Sequence, residues 1–241
     1  MEKESMNYDM WFQNTFKTYR PRPNTFPAMS WTLQDPWGQI VNNAMVDAEK
    51  KFTSTLLKEL NEKEIIGDII EFGVFSGGWM EFLINESEAL SSRRLIHGLD
   101  SFMGLPEPDA DVDLNCWKKG DYAADFATVS ARLRVSERPH VRLYRGWFSD
   151  TLPTPPLQSI TKIAFARIDC DLYGPTVECL DYLKSRLVDG AILVFDDWTF
   201  DLAKGETKAL YEGLQNWPGV RLEFLCFTSI GHIYFRVHRE S

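Results

Sequence analysis

The sequence predicts an α/β fold with a mostly parallel, doubly wound sheet, helices on both of its faces and an antiparallel hairpin at the C-terminal edge. Three observations support this prediction. Five apolar runs are each followed by a helix-like segment between residues 68 and 216. The runs I-A-F-A-R-I and A-I-L-V-F are almost continuously apolar, which is typical of parallel strands buried on both faces. Two final runs, R-L-E-F-L-C-F and H-I-Y-F-R-V-H, are separated only by T-S-I-G and predict the hairpin.

Residues 1–36 are predicted to form an irregular N-terminal arm or cover, and residues 37–241 a single domain. The arm mixes prolines with aromatic residues, and this composition is too aromatic for simple disorder. The aromatic residues are Trp11, Phe12, Phe16, Tyr19, Phe26 and Trp31. Asp35 followed by Pro36 predicts a helix start, and apolar residues then recur every four positions from Ile40 to Leu60.

The remaining elements follow from the same periodicity. Strands are predicted at residues 68–73, 95–100, 141–144, 162–169, 191–196, 221–227 and 232–238. Helices are predicted at about residues 36–61, 78–89, 122–134, 175–187 and 206–216, with a short helical turn after residue 144. A long acidic loop separates the second strand from the helix at 122–134.

Composition narrows the class of partner. A formal net charge of −9 and the lack of a basic block argue against a nucleic-acid surface and favour a small molecule. The four cysteines form no C-x-x-C pair, so we expect neither a disulfide framework nor a zinc site, and the thiols suit a reducing cytoplasm. No apolar run approaches the ~18 residues of a membrane span, and the N-terminus lacks a leader pattern, so we expect a cytoplasmic protein without a membrane partner.

Two acidic clusters follow the two most apolar strands. Asp169-Cys170-Asp171 ends one and Asp196-Asp197 ends the next, and carboxyl ends of parallel strands share one sheet edge. Carboxylates gathered there repel one another unless a cation lies between them, which predicts a divalent metal ion. The alternative is helix capping, which is strongest for Asp171 because Pro175 follows. We therefore assign Asp169, Asp196 and Asp197 as metal ligands and leave Asp171 open between capping and a supporting role.

A glycine-containing loop, E-F-G-V-F-S-G-G at residues 71–78, joins the first strand to a helix. Glycines there let the backbone turn tightly and approach a ligand at the helix N-terminus. Phe75 breaks the G-x-G-x-x-G spacing, so a ligand without phosphates is favoured over a dinucleotide. Asp100 ends the second strand, where an acid accepts hydrogen bonds from a ribose diol. The alternatives are a junction turn without ligand and an ordinary aspartate at a loop start.

Two further patterns point away from metal chemistry. Asp109, Asp111 and Asp113 imitate a calcium loop, but Leu114 stands where glycine is required and Gly120 where the final Glu is required. This segment is predicted to be a solvated acidic lid. The four histidines, His97, His140, His232 and His238, lie in or beside predicted strands, where a hydrogen-bonded structural role is the favoured interpretation.

Six motifs occur in order along the chain: E-F-G-V-F-S-G-G, H-G-L-D-S-F-M-G-L-P, K-G-D-Y, G-W-F-S-D-T-L-P, R-I-D-C-D-L-Y-G-P-T and V-F-D-D-W. With them the chain resembles the macrocin and mycinamicin O-methyltransferase family over roughly residues 35–215. The resemblance implies a Rossmann-like, seven-stranded class I methyltransferase fold that uses S-adenosylmethionine and Mg²⁺, typically on sugar hydroxyls of natural products.

The resemblance also assigns residues. It implies that Glu71, Gly73 and Gly77 shape the cofactor loop, that Asp100 and Ser101 hold the ribose, and that Gly146 and Trp147 lie near the adenine. We predict that Phe75, Ser76 and Asp169 also bind the cofactor. The resemblance places magnesium on Asp169, Asp196 and Asp197. The chain departs from related patterns at Trp79, where the family often has a small residue, and at Leu172, where catechol-type enzymes carry a lysine.

The predicted function is transfer of a methyl group from S-adenosylmethionine to a hydroxyl of a small molecule, most simply a vicinal sugar diol on a glycoside. Asp169 is the predicted catalytic proton acceptor. The predicted arm and lid would cover the acceptor. The arm could instead pack on a neighbouring subunit, so we expect a homo-oligomer. The alternatives are a catechol-like or other phenolic methyltransferase, a metal-dependent hydrolase, and a cofactor-binding protein without catalysis.

Overall fold

A seven-stranded sheet forms the centre of this computed structural model, which describes residues 36–228 and 231–240. Of residues 36–39, 41 and 42 it describes only the backbone. The predicted N-terminal arm lies outside the described residues except for Pro36, which begins the first helix. The boundary between arm and domain therefore remains a prediction.

The strand order confirms the predicted topology. The strands are β1 (Asp68–Phe72), β2 (Ile96–Asp100), β3 (Val141–Arg145), β4 (Ile163–Ile168), β5 (Leu187–Phe195), β6 (Val220–Phe227) and β7 (Ile233–Arg239). Their order across the sheet is β3-β2-β1-β4-β5-β7-β6. Strands β1 to β5 pair in parallel, whereas β7 pairs antiparallel with both β5 and β6. The terminal hairpin thus closes one edge of the sheet, as the sequence predicts.

The helices occur between the strands in the predicted alternation. They are α1 (Pro36–Glu62), α2 (Gly78–Ala89), α3 (Phe126–Arg132), α4 (Phe148–Thr151), α5 (Pro155–Gln158), α6 (Tyr173–Leu183) and α7 (Gly205–Gln215). Two predicted boundaries were wrong. Helix α3 begins at Phe126 rather than Tyr122 because the Asp125 side chain caps it, accepting from Thr128 N at 2.8 Å.

The second boundary error concerns the end of α6, which was predicted at Leu187. The helix ends at Leu183, and Leu187 instead pairs with Ile163 at the start of β5. Ile163 N donates to Arg186 O at 2.8 Å, so pairing with β4 takes this apolar segment into the sheet. A local apolar pattern cannot distinguish a helix end from a strand start when such a long-range partner decides.

Successive strand residues contribute to two hydrophobic cores, one on each face of the sheet. On β5, Ile192 and Val194 belong to the core shared with α1, α2 and α3, whereas Leu193 and Phe195 belong to the core shared with α5, α6 and α7. This alternation follows from the period of two in a β-strand. Helices on both faces leave the carboxyl ends of the strands as the place where loops can form a site.

Each helix within residues 36–228 and 231–240 is too short or too polar to cross a lipid bilayer.

The cysteines are free thiols, and the Sγ atoms of Cys170 and Cys179 lie 3.7 Å apart in the core. Burial raises the pKa of both thiols, which keeps them in the unreactive neutral form.

Candidate active site

The candidate site lies at the carboxyl ends of β1, β2, β4 and β5, where the strand order reverses between β1 and β4. Backbone pairing continues just past these ends. Asp169 N donates to Phe72 O at 2.9 Å, and Asp196 N donates to Ile168 O at 3.0 Å. The acidic residues that follow two separate strands therefore meet at one edge, at the switch point where open α/β sheets bind ligands.

Gly73 lets the first loop cross directly over the end of β4. Its φ is 86°, in the left-handed region, and an ideal Cβ would lie 1.7 Å from the Asp169 carbonyl oxygen. No side chain fits that space. The glycine that the sequence assigned to cofactor binding is thus also required by the contact between β1 and β4.

Asp100 holds the glycine-containing loop from the neighbouring strand. Its Oδ2 accepts from Val74 N at 2.9 Å and from Phe75 N at 2.7 Å. Its Oδ1 accepts from Phe102 N at 2.6 Å. The carboxylate satisfies three main-chain donors that the tight turns leave unpaired, so it shapes the loop as well as facing the cavity.

A cavity of about 510 Å³ lies above these strand ends. The predicted site residues that line it are Gly73, Phe75, Asp100, Ser101, Gly146, Trp147, Asp169, Asp196 and Asp197. The other three predicted cofactor residues, Glu71, Ser76 and Gly77, are not in its lining. Glu71 is buried against Arg167, the Ser76 carbonyl accepts from Arg132, and Gly77 precedes α2 as its N-cap.

Three carboxylates in the lining of this cavity lie close together. Asp169, Asp171 and Asp197 each offer an oxygen, and these oxygens lie within 4.8 Å of one another. Asp171 takes the place in this group that the sequence analysis gave to Asp196. The backbone of Asp171 is left-handed, with φ of 62°, which turns the chain between β4 and α6.

The electrostatics of this group fit a cation. Burial, followed by the charges of the neighbouring carboxylates, raises the pKa of Asp171 and Asp197 well above the usual range. Burial also raises the pKa of Asp169, to about 7, although Arg167 opposes the shift. Anionic oxygens this close are destabilising without a positive partner, and hard oxygen donors match the preference of Mg²⁺.

Arg167 supplies a positive charge beneath the acidic group. Its Nη1 donates to Glu71 Oε1 at 2.9 Å and to Asp169 Oδ2 at 2.6 Å, and its Nη2 donates to Asp196 Oδ1. The guanidinium also lies 5.0 Å from the centre of the Trp79 ring. Burial raises the pKa of Glu71 to about 8 despite this contact.

Asp196 has a second cationic partner, His232. The His232 ring bridges two carboxylates, with Nε2 at 2.7 Å from Asp196 Oδ1 and Nδ1 at 2.6 Å from Glu49 Oε1. Burial disfavours the charged ring, but the two carboxylates raise the pKa of His232 to about 10. Burial likewise opposes ionisation of Asp196, yet Arg167 and His232 hold its pKa well below the usual range. His232 is hydrogen-bonded as a structural histidine would be, but one partner is a predicted site residue.

The capping alternatives for the acidic residues are wrong. Helix α7 begins at Gly205 with Lys204 rather than Asp196 or Asp197 as its N-cap. Leu172 is the N-cap of α6, and the Tyr173 N donates to Asp113 Oδ1 at 2.7 Å, so that Asp113 replaces Asp171 in the capping role.

Glu206 joins the loop after β4 to the loop after β5 by hydrogen bonds to both backbones. Its Oε1 accepts from Cys170 N and its Oε2 from Asp197 N, each at 3.1 Å. The side chain is fully buried, and this burial raises its pKa. One carboxyl group thus fixes the spacing between the loop after β4 and the loop after β5.

The acidic loop forms one wall of the cavity and is attached to the helices beneath it. Asp113 also accepts from Asp109 N at 2.8 Å, and Lys204 Nζ donates to the carbonyl oxygens of Ala110 and Asp111. Asp113 is therefore a buried acceptor for main-chain donors rather than part of an open calcium loop. The rings of Trp117 and Tyr122 lie in edge contact at the cavity wall, with centroids 5.8 Å apart.

Sequence reasoning missed Arg167, Glu206, Glu49 and the role of His232. Only Arg167 carried a usable signal, because an arginine inside a fully buried strand requires anionic partners. Glu49 and Glu206 occupy ordinary helical positions, and their contacts are made only by tertiary packing.

Comparison with known proteins gives concordant results. The chain is 33% identical over 144 residues to the mycinamicin III 3''-O-methyltransferase of Micromonospora griseorubida, covering 55% of each chain. It is also 33% identical over 149 residues to 8-demethyl-8-(2,3-dimethoxy-alpha-L-rhamnosyl)-tetracenomycin-C 4'-O-methyltransferase of Streptomyces olivaceus, covering 57% of this chain and 55% of that one. The chain thus spans about half the length of the curated relatives it matches.

Solved structures share the fold. The O-methyltransferase NovP is 23% identical, with a TM-score of 0.64, over 79% of this chain and 80% of that one. The calicheamicin methyltransferase CalS11 is 22% identical, with a TM-score of 0.62, over 97% of this chain and 94% of that one. The family model for macrocin O-methyltransferases (TylF) matches residues 40–212. Because this match covers most of the chain, the protein belongs to the macrocin O-methyltransferase family.

Proposed function

We propose that this protein is a magnesium-dependent O-methyltransferase that transfers the methyl group of S-adenosylmethionine to a sugar hydroxyl of a glycosylated natural product. The observation that carries the proposal is one cavity whose lining contains Gly73 and Phe75 of the glycine loop, Asp100, and the three clustered carboxylates. A donor and an activated hydroxyl need to meet in one such space. The names of the two curated relatives, which refer to mycinamicin III and to a rhamnosyl tetracenomycin, support a glycoside acceptor.

The cofactor would lie along the lining that the sequence assigned to it. Asp100 uses three acceptor positions on main-chain donors, and a carboxylate has about four, so one position is left for a ribose hydroxyl. Ser101 is next to it in the lining, and Gly146 and Trp147 follow β3 on the side proposed for adenine. Phe75 would cover the loop side of the same ligand.

The metal would be held by Asp169, Asp171 and Asp197, with Asp171 in place of the predicted Asp196. These are the described side chains whose oxygens converge. A bound Mg²⁺ would fix two vicinal acceptor oxygens and make the coordinated hydroxyl more acidic. Arg167 donates to Asp169, and Glu206 accepts from the backbone of Cys170 and Asp197, so these two residues would orient the ligands.

The proposed reaction is an in-line displacement. The acceptor oxygen forms a bond to the methyl carbon while the carbon–sulfur bond breaks, and the sulfonium becomes a neutral thioether. The hydroxyl proton passes to Asp169, which lines the cavity where donor and acceptor would meet. Asp171, in the same group, is the second candidate for this role.

Calorimetric titration tests cofactor binding. S-adenosylmethionine and S-adenosylhomocysteine should both bind the purified protein, with or without EDTA, whereas NAD should not. Binding of neither sulfur compound would refute the methyltransferase proposal. With binding established, glycosides that carry vicinal hydroxyls are the acceptors to screen, and methyl transfer should require Mg²⁺ and stop in EDTA.

Three variants test the roles of the acids. Asp169→Asn should remove most turnover and leave S-adenosylhomocysteine binding within about threefold of the wild type, because a proton acceptor acts after binding. Asp171→Asn tests whether Asp171, the second candidate, is the proton acceptor instead. Asp181→Asn on α6, with an exposed side chain, is the matched control and should be fully active. Full activity of Asp169→Asn would refute its role as the base.

A further inference from the structure

We propose that the acceptor glycoside extends past Trp117, so that its methylated sugar lies in the cavity at the strand ends and its aglycone lies in a second, outer cavity of about 260 Å³. This inference rests on the proposed function and deepens it, because it assigns a site to the part of the acceptor that is not methylated. Residues 107–119 of the acidic loop form the outer cavity. Its lining includes Glu107, Pro108, Ala110, Leu114, Trp117 and Lys119.

Trp117 joins the two spaces, because it lines both the cavity at the strand ends and the outer cavity. The ring of Tyr122 lies in edge contact with the Trp117 ring, at 5.8 Å between centroids, and with the Phe75 ring, at 5.4 Å. Three aromatic rings therefore run from the glycine loop to the edge of the outer cavity. Aromatic side chains supply large apolar contact area, so a ligand ring can pack against this row.

The same row lies close to the carboxylates of the proposed metal site. Tyr122 lines the cavity that contains these carboxylates. Burial raises the pKa of Tyr122 well above its usual range, and the charges of the three carboxylates add to this rise. A side chain within electrostatic range of the acids thus touches the ring of Trp117. A sugar whose hydroxyl is at the acids can therefore carry a substituent that reaches Trp117.

The size of the cavity at the strand ends requires a second space for a glycoside. A cavity of about 510 Å³ holds one drug-sized ligand. S-adenosylmethionine is a ligand of this size, so the proposed donor occupies most of that volume. The space that remains beside the carboxylates admits the edge of one sugar ring, and the aglycone lies outside it. The outer cavity is the space that adjoins it at Trp117.

Hydrogen bonds at its neck give the loop around the outer cavity a defined shape. Leu105 N donates to Asp121 O at 2.8 Å, and Gly120 N donates to Leu105 O at 2.9 Å. Lys204 Nζ holds the other side of the loop through two carbonyl oxygens. Tyr122, just after the neck, has a left-handed φ of 60°, and a side chain keeps such a backbone only where its surroundings fix it. A preformed site of this kind loses little entropy when a ligand binds.

The lining of the outer cavity suits an uncharged ring system. Pro108, Leu114 and Trp117 offer apolar surface. Lys119 Nζ lies 3.9 Å from Glu107 Oε2, and both side chains are mostly exposed, so these opposite charges offset each other at the solvent side. Apolar surface with a few polar groups is typical of sites for small molecules.

Paired glycosides that share one sugar and differ only in the aglycone test the inference. The probes are methyl and para-nitrophenyl glycosides of α-L-rhamnose, α-L-fucose and β-D-glucose. Each is titrated into the full chain with saturating S-adenosylhomocysteine and Mg²⁺, and its dissociation constant is measured by saturation-transfer NMR. In at least one pair the para-nitrophenyl glycoside should bind about five- to tenfold more tightly than the methyl glycoside, because its ring packs in the outer cavity.

Ala110→Trp fills the outer cavity and should remove this advantage of the para-nitrophenyl glycoside. Binding of the methyl glycoside and of S-adenosylhomocysteine should stay within about twofold of the wild type, because Ala110 is an exposed residue of the outer lining alone. The matched control, Ala131→Trp, adds the same ring at an exposed position of α3 outside both linings and should keep the advantage. Trp117→Ala removes the shared residue and should also abolish the advantage.

An advantage that persists in folded Ala110→Trp overturns the inference. A wild type that binds both members of every pair equally, or binds none of them, overturns it as well. Thermal unfolding verifies that each variant is folded, and Trp117→Ala decides by the same criterion if Ala110→Trp is not. A wild type that does not bind S-adenosylhomocysteine refutes the proposed function itself, whereas binding of that compound without an aglycone advantage refutes this inference alone.

Discussion

Replacing Asp100 with asparagine should destabilise the protein strongly, although the change is nearly isosteric. The carboxylate accepts three main-chain hydrogen bonds, two at Oδ2 from Val74 N and Phe75 N and one at Oδ1 from Phe102 N. An asparagine offers one oxygen, so its amide group must face at least one N–H donor. Hydrogen bonds to charged groups contribute about 1.5–3 kcal/mol each, against about 1 kcal/mol for neutral ones.

These values set the expected magnitude. One bond is lost outright and two are weakened, so we expect the free energy of unfolding to fall by about 3–5 kcal/mol. For a chain of this size the melting temperature should drop by roughly 6–20 °C. Urea unfolding followed by tryptophan fluorescence measures the first quantity, and calorimetry the second.

The matched control is Asp125→Asn. Asp125 also accepts a main-chain hydrogen bond, from Thr128 N, but it is an exposed N-cap, and asparagine caps helices as well as aspartate does. Its cost should stay below about 0.5 kcal/mol. If Asp100→Asn costs no more than the control, the three main-chain bonds do not hold the loop and the reasoning is wrong.

Three further perturbations follow from the same geometry. Gly73→Ala should cost more than about 3 kcal/mol of folding free energy, or prevent folding, because its Cβ would overlap the carbonyl oxygen of the residue after β4 and its φ is positive. Asp113→Ala should lower stability by about 2–3 kcal/mol and speed hydrogen exchange at residues 109–113, because it removes the cap of α6. Arg167→Met should cost about 3–5 kcal/mol, because it leaves buried carboxylates without their cation.

Controls separate these effects from nonspecific damage. Gly120→Ala has open space around its Cβ, so it isolates the strain of a positive φ from the overlap expected at Gly73. Asp111→Ala removes an exposed side chain from the same loop as Asp113 and should leave exchange at its neighbours unchanged. Arg221→Met changes an exposed arginine on the edge strand and should cost less than about 0.5 kcal/mol. Equal losses in a variant and its control would contradict the corresponding explanation.

The sequence alone determined the sheet and the location of the site. Apolar runs such as A-I-L-V-F indicate buried strands, and their alternation with helices favours a mostly parallel, doubly wound sheet. Because the carboxyl ends of parallel strands lie at one edge of the sheet, the loop at Gly73 and the acids after β4 and β5 are expected to lie together there. Family motifs then supplied the expected cofactor and metal.

Only the tertiary structure decided which of the clustered acids converge and which cationic side chains contact them. Sequence spacing could not separate Asp196 from Asp171, because both follow strands at the same edge. The choice depends on Arg167 inside β4, on His232 just before β7 and on Glu49 in α1, whose contacts bridge up to 183 residues of chain. Local patterns report the period of an element and its ends, whereas the partner of a buried charge is set by packing between elements that are distant in sequence.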